Sequence, residues 1–150
     1  MNIPRTPTYT AEGRWLHAGE EITHEKIRDY FSRHLHWSDA HSGYVIEADG
    51  KCVRAEVEDT PVVVRTIDTR TLPWKVLLSG DVEEDFKAES LAVNSEGIFY
   101  CTVSNSRFAR ILRPAWQSLL PHLQEGLPGR YELAVGNERF PITQVREGRI

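Results

Sequence analysis

The chain has 150 residues, 40% of them hydrophobic and 27% charged, the composition of one globular domain or of two small lobes sharing a core, and not that of a disordered chain. Its net charge of −4 argues against a bulk electrostatic grip on DNA or on an anionic membrane and leaves room only for a local basic patch. Apolar runs such as Val62–Val63–Val64 and Val76–Leu77–Leu78 fall far short of the roughly 18–20 residues that span a bilayer. Met1 to Trp15 lack the basic and apolar regions of a secretory leader, and Cys52 and Cys101 form no metal or disulfide pattern, so a cytoplasmic location is expected.

Residues 1–14, with Pro4, Pro7 and Gly13, read as a loose or edge-pairing arm. Trp15–Leu16–His17 leads into a turn at Ala18–Gly19, where Gly19 takes positive φ. A helix is predicted from an N-cap at Thr23, with Ile22 and Ile27 as a hydrophobic staple and Glu25 at the positive end of the dipole. Ile27, Tyr30, Phe31 and Leu35 form its apolar stripe, which ends near His36. Tyr44–Val45–Ile46 and Lys51 to Val57 flank Asp49–Gly50, a strong hairpin-turn signal. Val53, Ala55 and Val57 share one face of the second strand and Cys52, Arg54 and Glu56 the other. Glu58–Asp59–Thr60–Pro61 interrupts it, and Val62 to Ile67 is a further strand.

Leu72–Pro73 marks a junction, dividing a lobe of residues 15–71 from one of residues 72–150. Lys75 to Leu78 reads as a strand, Asp81 to Asp85 as a solvated acidic turn, and Ser90 to Val93 and Ile98 to Val103 as strands. A second helix is predicted from Ser104 or Asn105 to about Leu123, its stripe running through Phe108, Ile111, Leu112, Ala115, Trp116 and Leu119, with a kink at Pro114. Tyr131 to Val135, Gly136–Asn137 and Glu138 to Ile142 close the chain as a hairpin. The halves rhyme: a helix, a Gly, a Tyr-led strand, a turn with Gly and another strand follow in each, which points to divergent duplication, the alternative being that helix-then-hairpin is a common unit of α+β proteins. The fold class expected is α+β, two related small lobes, each an antiparallel sheet covered by one helix. Trp15, Phe31, Phe108 and Trp116 are expected to be largely buried, with the two tryptophans near the contact between the lobes.

No catalytic motif is assembled. Nucleophile elbows and glycine-rich phosphate loops are absent from the sequence. Five of the six histidines fall between His17 and His41, but His34 and His36 would point about 200° apart on a helix, so no metal site is expected and they read as solvated or capping groups. No cofactor is expected. Neither cysteine has an adjacent His or Lys in sequence; Cys52 is placed on a polar face and Cys101 in the core. Glu58 and Asp59 are paired carboxylates that could serve as acid and base or hold a divalent metal in a hydrolase; a turn-capping or Arg-pairing role is the alternative. Arg107, Arg110 and Arg113 recur on one stripe of the second predicted helix, suited to phosphate or carboxylate groups, or else to a solvated face. Arg113, before Pro114, is the one expected to satisfy carbonyls freed by the kink or to reach Glu58 or Asp59 across the lobes. Exposed aromatics interleaved with bases are not evident.

Taken together, Glu12–Gly13–Arg14–Trp15–Leu16–His17–Ala18–Gly19–Glu20–Glu21–Ile22, then Val57–Glu58–Asp59–Thr60–Pro61, then Tyr100–Cys101–Thr102–Val103 with Ala109, Ile111, Arg113, Trp116 and Leu119 resemble an uncharacterised proteobacterial family over residues 12–142. The resemblance implies two related α+β lobes, the C-terminal one loosely like a pleckstrin-homology fold, with no established enzymatic activity. It further implies a ligand surface between the lobes and a role in signalling. The function expected is therefore a non-catalytic binding or adaptor module, with Trp15, Glu58, Asp59, Arg107, Arg110, Arg113 and Trp116 as candidate groove residues. A protein partner is the first candidate and nucleic acid the second; the enzyme using Glu58 and Asp59 is the competing reading.

Overall fold

Short strands separated by left-handed turn residues make up most of the chain, and the computed structural model describes residues 6–145. The first half contains β1 (Thr8–Tyr9), β2 (Trp15–His17), β3 (Glu20–Glu21), helix α1 (Glu25–His34), β4 (Leu35–Ser38), β5 (Gly43–Ala48), β6 (Lys51–Arg54) and β7 (Glu56–Val57). Next come β8 (Val62–Asp68), β9 (Lys75–Leu78), β10 (Val82–Asp85), β11 (Ala92–Val93), β12 (Phe99–Val103) and β13 (Arg107–Ile111). Helix α2 (Arg113–Leu119), β14 (Leu123–Glu125), β15 (Tyr131–Val135), β16 (Glu138–Pro141) and β17 (Thr143–Gln144) complete the chain. The N-terminal lobe has sheets ordered β3-β2-β1-β7 and β4-β5-β6; the C-terminal lobe has β10-β9-β8-β13-β12-β11-β17 and β14-β15-β16. The fold is α+β, two related lobes of mainly antiparallel sheets with one helix each.

The relation between the lobes extends to register. Thr8 and Tyr9 pair antiparallel with Leu16 and Trp15 and parallel with Glu56 and Val57. Ala92 and Val93 pair antiparallel with Tyr100 and Phe99 and parallel with Thr143 and Gln144. Leu35 faces Ile46 and Trp37 faces Tyr44, as Leu123 faces Leu133 and Glu125 faces Tyr131. Even the first hairpin turn repeats: Arg14 N–H donates to Thr10 Oγ1 and Gly13 N–H to Thr10 O, while Ile98 N–H donates to Asn94 Oδ1 and Gly97 N–H to Asn94 O. Strands β8 to β10 stand between the two repeats and join the second one's sheet.

The hairpin turns lie where the sequence places them. Ala18–Gly19, Asp49–Gly50 and Gly136 all take positive φ. Four segments differ. Thr8–Tyr9 is an inner strand of its sheet rather than part of a loose or edge-pairing arm, because Tyr9, fully buried, packs on Trp15 with ring centroids 4.8 Å apart; residues 1–5 of the expected arm lie outside the described residues. Helix α1 is capped at His24, not Thr23, and buries no residue fully; it lies on the lobe's flank, which leaves Ile27 exposed and places Leu35 in β4. Val82–Asp85 is an edge strand, its turn being Gly80–Asp81 at positive φ, and acidic side chains on an edge discourage pairing with another chain. Most consequentially, Arg107–Ile111 is a strand. Ser104–Ser106 turns the chain back through Asn105 (φ 62°) and Ser106 (φ 56°), Ala109 and Ile111 point inward at a period of two, and Pro114 sits in the first turn of α2, where no N–H is needed.

Two cores result. Val62, Val64, Val76, Leu78, Leu91, Cys101, Val103, Ala109, Ile111, Leu119 and Leu133 pack in the C-terminal lobe, where burial pushes the Cys101 thiol up to about 12. Tyr9, Trp15, Leu35, Ile46, Ala55 and Val63 pack in the N-terminal one. Trp15 is buried as expected, but Phe31, Phe108 and Trp116 are only partly so, and Val53 is exposed because the chain leaves its sheet at Ala55. The Trp15 indole N–H donates to Ser32 Oγ at 2.9 Å, fixing α1 to β2.

The repeat supplies an internal control. A Cβ at Gly13 would lie 2.6 Å from Val63 Cγ2, whereas at its counterpart Gly97 nothing lies within 4 Å, and both have φ near 80° (81° and 82°). The backbone strain of an alanine is therefore common to both sites, and only one adds a collision. Gly13→Ala should destabilise the chain by at least about 1 kcal/mol more than Gly97→Ala in urea denaturation, the scale of local overpacking. Equal losses would contradict the contact of β8 with the N-terminal lobe.

Candidate functional site: a groove between the lobes

Glu58–Asp59–Thr60–Pro61 joins the lobes, and its side chains serve separate partners. Glu58 Oε1 accepts the Ala11 N–H at 3.0 Å. Asp59 Oδ2 accepts the Tyr100 hydroxyl at 2.9 Å and Arg110 Nη1 at 3.2 Å. Thr60, fully buried, donates to Val62 O at 2.7 Å while its Oγ1 accepts the Arg110 N–H at 3.1 Å. Glu58 ties the connecting segment to the β1–β2 turn of the N-terminal lobe, and Asp59 and Thr60 tie it to strands of the C-terminal one. Burial, and then the carboxylate it faces, pushes the Tyr100 phenol up to about 12. The Tyr9 hydroxyl is buried near Ser32 and Ser79 with no well-formed hydrogen bond among the described residues, and burial raises it to about 12 as well.

Beside this junction a groove of about 690 Å³ opens between the lobes, a volume typical of ligand sites. Ser32, Arg33, His36 and Trp37 line it from α1 and β4, and Tyr44 from β5; Asn105, Ser106, Arg107 and Phe108 line it from the β12–β13 turn and β13. Arg33 Nε donates to Gly80 O at 2.6 Å, crossing from one lobe to the other. Outside the lining, the Glu84 carboxylate accepts the Ser104 N–H at 3.0 Å and its hydroxyl at 2.5 Å, and Arg107 Nε of the facing wall donates to Ser104 O at 3.1 Å. These bonds hold the left-handed Asn105–Ser106 pair, a conformation that costs non-glycine residues about 1–3 kcal/mol each and that gathers at functional sites. Trp37 is 54% exposed and meets Tyr44 edge-on at 5.3 Å. Among the described residues, three basic side chains and no carboxylate line the groove of a net acidic chain.

Of the seven candidate groove residues, Trp15, Glu58, Asp59, Arg107, Arg110, Arg113 and Trp116, Arg107 alone lines this groove. Arg110, Arg113 and Trp116 line a second hollow of about 380 Å³ together with Glu12 and Arg14. The arginines share no helix stripe, since β13 and α2 divide them, and the guanidinium reaching Asp59 is that of Arg110, not Arg113, which is exposed. Trp15 is sealed in the core and unavailable to a ligand. Among the described residues no group of three or more His, Cys, Asp or Glu side chains is placed to hold a metal ion. His36 Nε2 lies 2.9 Å from Glu47 Oε1, and His41 bridges Ser38 Oγ at 2.9 Å and Cys52 Sγ at 3.9 Å, a thiol neighbour invisible in the linear sequence. Arg33, His36, Trp37, Tyr44 and Phe108 were not foreseen as a group, and they contradict the expectation that exposed aromatics and bases do not interleave. Their adjacency arises only when β4 and β13 approach across the lobes.

Comparison with protein-family models gives no match, and no curated protein matches the sequence. The fold has solved counterparts. A DUF1285 family protein from Silicibacter pomeroyi superposes with a TM-score of 0.73 over 95% of this chain and 81% of its own, at 16% identity. Another from Shewanella baltica superposes with a TM-score of 0.63 over 79% of this chain and 92% of its own, at 17% identity. The structural neighbours are thus proteobacterial proteins of an uncharacterised family, and the likeness shows a shared fold. Within the described residues no helix is long and apolar enough to cross a membrane.

The side chains of the Arg110–Asp59 pair are 23% and 10% exposed, so removing the arginine leaves the carboxylate without its countercharge and with only the Tyr100 hydroxyl as partner. Arg110→Gln should destabilise by about 3 kcal/mol, the low end for breaking a buried pair, while exposed Arg113→Gln should stay within about 0.5 kcal/mol; urea denaturation of both variants decides. Alkali should also act on the junction. Tyr9 and Tyr100 rise from 10.0 to about 12 on folding, so the folded state holds their protons more tightly. That contribution is complete below pH 10 and is lost as pH rises towards 12. Stability should fall across that window in step with tyrosinate absorbance, and less steeply in Tyr100→Phe.

Proposed function

We propose that the protein is a non-catalytic binding module of the cytoplasm, an adaptor whose inter-lobe groove takes an acidic segment of a protein partner bearing an apolar or aromatic side chain. The observation that carries this reading is the groove's lining: Arg33, His36 and Arg107 around Trp37, Tyr44 and Phe108, with no acidic residue among the described residues, in a chain of net charge −4. Guanidinium groups fixed by one hydrogen bond (Arg33) or two (Arg107) keep other N–H donors for a carboxylate, and aromatic faces accept an apolar side chain beside it. The strained turn of Asn105 and Ser106, held in place by Glu84, supports a preorganised wall.

A nucleic acid has less in its favour, because so few cations neutralise few phosphates and the rest of the chain repels the backbone. The enzyme reading has less still, since Glu58 and Asp59 serve different partners and Asp59 Oδ2 already accepts two donors. A signalling role is the natural use of such a module. A pleckstrin-homology-like description of the C-terminal lobe draws support from its seven-stranded sheet and the helix α2 that follows β13.

Titration with a glutamate-rich peptide containing one phenylalanine, read by tryptophan fluorescence through Trp37, tests the proposal. Binding should weaken as salt rises, because exposed charge contacts are screened. Arg33→Gln combined with Arg107→Gln should lower affinity at least about tenfold, equal to about 1.4 kcal/mol. Equal binding by that double variant, or preferential binding of a single-stranded oligonucleotide, would overturn the reading.

A further inference from the structure

The internal repeat exposes a second site. On the C-terminal lobe, Val93, Phe99, Leu123 and Ile142 line a hollow of about 820 Å³, and all four are partly exposed. Strand register makes them the counterparts of Tyr9, Trp15, Leu35 and Ala55, which are all buried in the N-terminal lobe. Two differences account for the contrast. The cross-strand pair Tyr9–Trp15 becomes Val93–Phe99, which removes ring volume from the concave face. In addition, Val63 of β8 and Leu112 cover the N-terminal face, whereas the corresponding C-terminal face is open among the described residues.

The same rim presents what the hollow lacks. Leu127 and Tyr131 line it and are 68% and 55% exposed, large apolar side chains left in water. The counterpart of Tyr131 is Tyr44, which packs edge-on against Trp37; the residue facing Tyr131 across the strands is instead Glu125, so the ring has no aromatic neighbour there. A knob and a hole on one patch are complementary to themselves under a two-fold axis. The charges agree with that arrangement. Arg130 and Glu132 flank Tyr131 and both line the hollow, so a two-fold sets opposite charges against each other, whereas a patch of single sign would call for a different partner.

We propose that this hollow is a self-association surface: Leu127 and Tyr131 of one copy enter the hollow of a second copy and occupy the space that Tyr9 and Trp15 fill in the N-terminal lobe. The inference is independent of the inter-lobe groove, with which this patch shares no lining residue.

Sedimentation equilibrium of the full chain, from about 1 µM to about 300 µM, spans the range in which an interface of modest area associates. A reversible monomer–dimer equilibrium is expected. Tyr131→Glu should weaken it at least about tenfold, as loss of a central aromatic anchor does, without changing the melting temperature of the dilute monomer, because the side chain is exposed in the single chain. Val93→Tyr, which restores the residue of the twin lobe, should also weaken the dimer by filling the hollow from within. A chain that stays monomeric throughout, or a dimer of unchanged affinity in Tyr131→Glu, would overturn the proposal. A monomer whose hollow binds an apolar dye, with binding lost in Val93→Tyr, would assign the site to a small ligand and overturn it equally.

Discussion

Strand β8 decides the architecture. Val62, Val63 and Val64 are consecutive and all buried, which a strand permits only when both of its faces are covered. Val62 and Val64 enter the C-terminal core, and Val63 enters the N-terminal one beside Tyr9 and Trp15. A single strand is thus shared by two hydrophobic cores. The hydrogen bonds of Asp59 and Thr60 to Tyr100 and Arg110 fix the strand's entry, so they also fix how the lobes meet and how wide the groove between Trp37 and Arg107 stands.

What was legible in the sequence was local. Asp49–Gly50 and Gly136–Asn137 announce hairpins because left-handed turn residues between apolar strands have few other uses. The alternation of Phe99, Cys101 and Val103 gave β12, and with it the burial of Cys101. Residues 104–123 misled because Phe108, Ile111, Leu112, Ala115 and Leu119 satisfy a helical period across the junction of a strand and a helix. The discriminating feature was Ser104–Asn105–Ser106, a turn without glycine whose left-handed geometry depends on Glu84, twenty residues earlier in the chain. Similarly, Tyr9 lies among prolines and polar residues, and only its neighbours in space, Trp15 and Val63, reveal it as core.

The functional site was less legible still, for a physical reason. Its basic and aromatic residues come from α1, β4, β5 and β13, and no spacing along one element records their convergence. The carboxylates that drew attention, Glu58 and Asp59, are what hold the lobes in register. Polar residues at a lobe junction carry the same sequence signature as catalytic ones, since both are polar groups forced into partial burial.

The repeat shows how much side-chain change one backbone accepts. Main-chain bonds such as Ala55 N–H to Tyr44 O and Ile142 N–H to Tyr131 O recur in both lobes, while the faces they support have diverged from sealed to open. Sharing β8 also has a consequence for the order of events during synthesis. Ribosomes release the N-terminal lobe first, yet the residues that cover its concave face, Val63 and Leu112, follow it in the chain. Until Leu112 has left the exit tunnel, Tyr9 and Trp15 lack their lid, and the first lobe made is among the last to be closed.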